Sequence, residues 1–361
     1  MRQLSLLLCL FATTAHAQSC SFAAVETRFA QLLTDANLGG GAVLVADRHG
    51  VLEQHFFGSY SATTVVPIAS ASKMLSGIRL LQLKDRGLLN LDAPLSGYLP
   101  QFTGLKGSMT LRQMFSHTSG YGGDSGDPIL FNHAITLAQS VDTIAADYPL
   151  LNGWVPGGQF AYGGVAMQVG GRVSEVLGNG DWQTQWKSDI GTPLGITTID
   201  WQGLGATTNY GIAGSAQSNL RDYGRVLEML ANRGVGNGHR ILSEARIDEM
   251  MVDNVANLPI ASAPPGATDP VRYGFGGWLE LPGNGDAPLM HSLGAFGYYP
   301  WVDFQRNVFG MFMLRGAAGI NATTIPAFSD MLATIRAAID GGGCQPTEVF
   351  DRVFLDGFAP L

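Results

Sequence analysis

Ser70 and Lys73 stand three residues apart at the opening of an apolar segment, VVPIASASKMLSGIRLLQLKDRGLLNLD. A serine hydroxyl is a poor nucleophile until a neighbour takes its proton, and a lysine amine one helical turn away has the reach to do so. From Lys73 onward, Met74, Ile78, Leu81 and Leu83 trace a helix with one buried side that stops at Gly87. Positions three apart share a helix face, so both side chains point the same way. The same placement sets Ser70 near the unpaired amides and positive dipole end of the helix. Ser-x-x-Lys alone is a common spacing, and a capping serine beside a solvent-facing lysine also satisfies it.

The elements that must position this pair follow from periodicity. Residues 22–37 carry Phe22, Val25, Phe29, Leu32 and Leu33 as a helical stripe. GAVLVAD and VLEQHFF then read as a hairpin around Arg48-His49-Gly50. From about 94 to 215, Pro, Gly, Asp and Ser clusters alternate with short helical stretches at 110–116, 134–146 and 163–177. Residues 218–233 are a clear helix with Leu220, Tyr223, Val226, Leu227 and Leu230 on one side, and 254–270 reads as a surface loop. RYGFGGWLEL, AFGYYPWVDF and NVFGMFMLRG are β-like, with Asp303 to Asn307 joining the last two, and Ile325 to Ile339 is a helix. The fold class is therefore α/β (α+β): one sheet built from about 18–65 and 270–361, flanked by terminal helices, with a mostly helical region at about 66–250 inserted.

Composition narrows the partners. The 361 residues are 46% hydrophobic and 14% charged, enough for one large core, and 48 glycines suit a turn-rich pocket protein. A net charge of -8 without any Lys/Arg run argues against nucleic acid and anionic membranes. The opening MRQLSLLLCLFATTAHAQ reads as a signal peptide over residues 1–17, too short in its apolar run to insert in a membrane. Cleavage after Ala17 would deliver a single domain, 18–361, to the periplasm or exterior. Cys9 leaves with the leader, and Cys20 and Cys344 are expected to form a disulfide in that oxidising compartment. The histidines at 49, 55, 117, 133, 239 and 291 show no metal-ligand spacing, Gly-x-Ser-x-Gly is absent, and GGDSGD lacks the features of a phosphate loop. Asn321-Ala322-Thr323 is a formal glycosylation acceptor.

Over nearly all the mature chain the sequence resembles the superfamily of serine beta-lactamases, DD-peptidases and related family VIII-like esterases, particularly its class C-like branch. PIASASK at 67–73, TLRQMFSHTSGY at 110–121, SNLRDYGRVLEMLANRG and GHRILS carry the resemblance. It implies a beta-lactamase/transpeptidase-like fold with an antiparallel sheet, Ser70 as nucleophile and Lys73 as its activator. PGGQFAYGGVAMQVGG supplies Tyr162 for the family's Tyr-x-Asn, as a proton relay, with Gly164 in place of Asn. That glycine has no amide to grip an acylamino side chain, which favours simple esters over beta-lactams or peptides. MHSLGAFGYYPWVD stands where Lys-Thr-Gly or His-x-Gly is usual. With Gly294 as the family glycine, Ser292 replaces the lysine and His291 lies one residue before; placing His291 in the cationic position needs an extra strand residue. The Gly294 register is favoured, because AFGYYPWVD then continues as strand and turn. His291, Ser292, Gly294 and Gly164 are thus the expected substrate-binding positions, and the amides of Ser70 and Ala295 the expected oxyanion hole. The resemblance assigns His117, in HTSGY, to scaffolding near the pocket.

The implied activity is hydrolysis of a small-molecule ester or amide through a Ser70 acyl-enzyme, esterase-like, with no step requiring a metal or cofactor. Two alternatives remain: a DD-peptidase or beta-lactamase, and a catalytically idle homologue that binds cell-wall peptide or another protein.

Overall fold

The computed structural model describes residues 20–122, 127–282 and 287–348. The expected signal peptide, 1–17, lies outside them. Helix α1 (Ala23–Asp35) leads into strands β1 (Gly40–Asp47) and β2 (Gly50–Gly58). The two-residue turn between them is held by Asp47, whose Oδ1 accepts from the amides of His49 (2.7 Å) and Gly50 (3.1 Å). Strands β3 (Trp278–Glu280), β4 (Leu289–His291), β5 (Tyr299–Asp303) and β6 (Val308–Met313) come from the other end of the chain. Together they form a six-stranded sheet in the order β2-β1-β6-β5-β4-β3, antiparallel at every pairing.

The seam between the two chain ends is β1 against β6, in register from Ala42↔Met313 to Asp47↔Val308. Both faces of this seam are buried, which explains why GGAVLVAD and VFGMFM are apolar at nearly every position rather than alternately. Ala42, Leu44, Met311 and Met313 face the inserted helical region. Val43, Val45 and Phe312 face α1 and a final helix. The Cys20–Cys344 disulfide joins the segment before α1 to the segment after that helix. No helix among the described residues is long and apolar enough to cross a membrane.

Between the two sheet halves run helices α2 (Ser72–Asp85), α3 (Leu137–Ala146), α4 (Val165–Gly178) and α5 (Leu220–Ala231), and the last strand is followed by α6 (Asn321–Asp340). Helix α2 is the axis of this region. Periodicity gives it one buried side, yet Ser72 through Leu83 are all buried. The difference arises because its polar side also meets protein. Arg79, 1% exposed, donates to Asp189, Gln185 and Ser174, and Ser76 Oγ donates to the Ile212 carbonyl at 2.7 Å. A helix surrounded in this way cannot tilt, so whatever its first turn carries is fixed in space.

The apolar runs also shorten: of RYGFGGWLEL only Trp278–Glu280 pairs within the sheet. Within 254–270, Ile260–Ser262 forms a short strand parallel to Phe160–Ala161. Helix α6 begins at Asn321, one turn ahead of the expected start at Ile325.

Candidate active site

A tight turn, Ala69–Ala71, delivers Ser70 to the head of α2. Ala69 has φ +45°, a left-handed conformation that a side chain disfavours, so the turn is held by its surroundings. Ser72 Oγ donates to the Ala69 carbonyl at 2.6 Å, and Tyr223 on α5 donates to the Ala71 carbonyl at 2.8 Å. Ser70 is half-buried, while Lys73 is 4% exposed. The lysine Nζ donates to Ser70 Oγ at 3.0 Å and to the Ala213 carbonyl at 3.1 Å. Its remaining approach is covered by the ring face of Tyr162, whose centroid is 4.6 Å away.

Tyr162 is itself packed between His117, at 4.5 Å between ring centroids, and Trp278, stacked at 5.1 Å. Gly164, two residues later, caps α4 and lines the same cavity. On the sheet side, Ser292 Oγ donates to the Ser70 carbonyl at 2.9 Å. Gly294 lies so close to the turn that a Cβ there would sit 2.2 Å from the Ile68 carbonyl oxygen. Ala295 follows at the cavity edge. The backbone amides of Ser70 and Ala295 have no hydrogen-bond acceptor among the described residues, an arrangement suited to a developing negative oxygen.

These residues enclose a cavity of about 300 Å³. Its walls are mostly apolar, with Leu130, Phe131, Leu204, Phe296 and Ala318, and Lys73 is the one basic side chain among the described lining residues. Gln168 also lines it, but its amide is engaged by Ile212 N (3.1 Å) and Asn209 Oδ1 (2.8 Å), which fixes the wall rather than offering a free group.

The structure brings Ser70, Lys73, Tyr162, Gly164, Ser292, Gly294 and Ala295 together, but not His291. Successive residues of a strand point to opposite faces, so when Ser292 turns toward Ser70 its neighbour turns away. His291 packs on Tyr299 with ring centroids 4.9 Å apart. There it lines a separate cavity of about 650 Å³ beneath α6, with neither Ser70 nor Lys73 in its walls. Burial, with Arg336 nearby, pushes its imidazole down to about 3, so it is neutral at ordinary pH and supplies no cation. Sequence reasoning missed the Ala213 carbonyl and the apolar wall. A main-chain acceptor leaves no trace in residue type, whereas Leu130 and Phe131, in PILF, were readable as apolar residues within an otherwise polar stretch.

The profile of the beta-lactamase family matches residues 25–325. Among solved structures, a candidate beta-lactamase from Bacteroides dorei DSM 17855 is 28% identical, with 88% of this chain and 100% of that chain covered and a TM-score of 0.78. Penicillin-binding protein 4 of Amycolatopsis lactamdurans is 27% identical over 188 residues, 47% of this chain and 47% of that protein. Lovastatin esterase of Penicillium rubens is 25% identical over 348 residues, 71% of this chain and 83% of that protein. The chain spans about half the length of several curated relatives it matches. With most of its length matched by the profile and the same architecture in solved relatives, the chain belongs to the beta-lactamase family.

Proposed function

We propose that the protein is an exported serine hydrolase that cleaves a small ester with an uncharged, apolar acyl group through an acyl-enzyme on Ser70. The observation that carries this reading is the 3.0 Å contact between Lys73 Nζ and Ser70 Oγ at the mouth of an apolar cavity. In the attack the direction of that hydrogen bond reverses. Ser70 Oγ bonds to the carbonyl carbon while its proton passes, with Tyr162 assisting, to the Lys73 amine in its neutral form, and the carbonyl electrons move onto an oxygen facing the Ser70 and Ala295 amides. Collapse of this intermediate breaks the bond to the leaving alcohol. That alcohol recovers the proton from Lys73, with Tyr162 as relay. Water then repeats the sequence on the acyl-enzyme and frees the acid.

Ester is preferred to amide because the cavity lacks the groups that a peptide-like substrate would need. Gly164 offers no side-chain amide, and the Ser292 hydroxyl is already engaged with the Ser70 carbonyl. Apart from Lys73, which the attack uses as proton acceptor, no described lining residue is basic, so a substrate carboxylate has no partner. The Penicillium relative named as an esterase supports this choice over the penicillin-binding relative. The disulfide supports export, since such bonds persist in oxidising compartments.

The test is the intact mass of the protein after exposure to a fluorophosphonate, in which Ser70 Oγ would displace fluoride from phosphorus. One adduct on the native chain, absent from Ser70→Ala, supports the reading and selects esters ahead of beta-lactams for substrate screening. A folded native chain that takes up no adduct refutes it, and leaves a binding protein for cell-wall peptide as the better account.

A further inference from the structure

His117 is buried beside the site, and no step described above uses it. The geometry points to His117 as the positioning residue of Tyr162, clamping the backbone on both sides of that residue; the inference rests on the proposed use of Tyr162 in proton transfer at Ser70. The segment Phe160–Gly163 behaves as a strand whose amides alternate between two edges. Phe160 N donates to the Pro259 carbonyl at 2.9 Å and Tyr162 N to the Ser262 carbonyl at 3.2 Å. The amides on the opposite edge, those of Ala161 and Gly163, both go to His117. Ala161 N donates to its carbonyl at 2.9 Å, and Gly163 N donates to its imidazole Nδ1 at 3.3 Å. One residue therefore replaces a strand on that edge.

Its backbone is shaped for the task. His117 has φ +58°, a left-handed conformation uncommon outside glycine, and in it carbonyl and ring both reach the same edge. The ring also packs on Tyr162 and stands edge-on to Tyr273 at 4.7 Å and Phe160 at 5.8 Å. Because Nδ1 accepts, the imidazole proton must reside on Nε2, which has no partner among the described residues. Burial and the nearby Lys73 hold the imidazole well below its ordinary pKa, so Nδ1 stays an acceptor across the working range. Among the described residues Lys73 is the one ionisable group whose field weighs on this imidazole, and its Nζ lies over the Tyr162 ring face, 4.6 Å from the centroid. With both flanking amides pinned, the Tyr162 ring keeps one position relative to the lysine, as proton transfer over hydrogen-bond distance requires.

The experiment is a double-mutant cycle read as the rate of Ser70 modification by a fluorophosphonate, with a thermal melt of every protein. His117→Asn puts an oxygen near the place of Nδ1 and tolerates the left-handed backbone, so it should stay within about threefold of native. His117→Leu has no acceptor for Gly163 and should react about 10- to 100-fold more slowly, within the range general acid-base catalysis commonly supplies. In a Tyr162→Phe background the same leucine substitution should change the rate less than about threefold, because the group being positioned is already gone. Equal losses in both backgrounds would overturn the proposal, as would a His117→Asn protein as slow as the leucine variant. If the leucine variant does not melt cooperatively, His117→Gln takes its place, since its carboxamide reaches past Gly163. A Tyr162→Phe protein that reacts at the native rate would instead overturn the role of Tyr162 itself, and the two failures are told apart by that single mutant.

Discussion

Replacing Gly294 by alanine adds one carbon, and the structure says where that carbon must go. Its Cβ would lie 2.2 Å from the Ile68 carbonyl oxygen, 3.1 Å from the Ile68 carbonyl carbon and 3.4 Å from the Tyr298 oxygen. An ordinary carbon-oxygen contact is about 3.3 Å or more, so the strand and the turn before Ser70 must separate by roughly 1 Å. The Ser292-to-Ser70 hydrogen bond starts at 2.9 Å and does not survive that displacement. Overpacking of this kind costs about 1–3 kcal/mol and the lost bond about 1 kcal/mol, giving roughly 2–4 kcal/mol in all. At about 2 °C per kcal/mol for a domain of this size, the melting temperature should fall by roughly 4–8 °C. The Ala295 amide moves with the strand, and a misplacement of about 1 Å at a reacting centre costs on the order of 100-fold in rate. The assay pairs a thermal melt with the rate of fluorophosphonate labelling of native protein and Gly294→Ala. A variant that melts within 1 °C of native, on the order of the error of such a comparison, and labels at the native rate would refute the close packing on which both figures depend. Loss of stability with labelling untouched would instead remove Ala295 from the oxyanion hole.

Lys73→Met should slow labelling of Ser70 by about 100- to 10,000-fold while the protein remains folded, and an undiminished rate would place the proton acceptor elsewhere. Replacing Cys20 and Cys344 by serine opens a closure of sequence separation 324, worth at most roughly 6 kcal/mol by chain entropy. The expected result is a melting temperature lower by up to about 12 °C, and an unchanged melt would show that the terminal helices dock without the bond. His291 gives an acid dependence. Its folded value of about 3 lies below the ordinary 6.5, so between these limits the unfolded chain binds the additional proton, and stability falls as pH drops from about 6.5 toward 3. The slope is at most about 1.4 kcal/mol per pH unit from this group. His291→Phe keeps the packing on Tyr299 and should flatten the acid side of urea-melt stability, whereas an unaltered slope would assign it to other groups.

Much of the architecture is legible because it is local. The stripes of α1 and α5 and the hairpin of β1 and β2 announce themselves by period, and the Ser70–Lys73 pair by its spacing along a single helix. What escapes is set between distant segments. Helix α2 reads as one-sided because no local pattern tells that Arg79 meets Asp189 and Gln185, residues more than a hundred positions on. The pairing of Ile260–Ser262 with Phe160–Ala161 is equally silent, since an Ala- and Pro-rich stretch carries no alternation to betray it. At the site the same rule divides His291 from Ser292. Both types suit a pocket, and only the pleat of the strand decides that the serine faces Ser70 while the histidine faces α6.

The seam of β1 against β6 has a consequence for the chain as it is made. Ser70 and Lys73 emerge from the ribosome early, but the serine's hydrogen-bonding partner Ser292 follows 222 residues later, and Ala213 140 residues after the lysine. Contacts so far apart in sequence form late and slowly. Until the C-terminal strands arrive, β1 also lacks one neighbour, leaving an unpaired edge. A fragment ending before residue 289 would therefore carry the whole Ser-x-x-Lys segment and remain chemically mute, which fluorophosphonate labelling of progressively longer fragments would display as a step rather than a ramp. On the proposed reading the serine is armed only by completion of the sheet, so half-made copies should not be acylated by the ester.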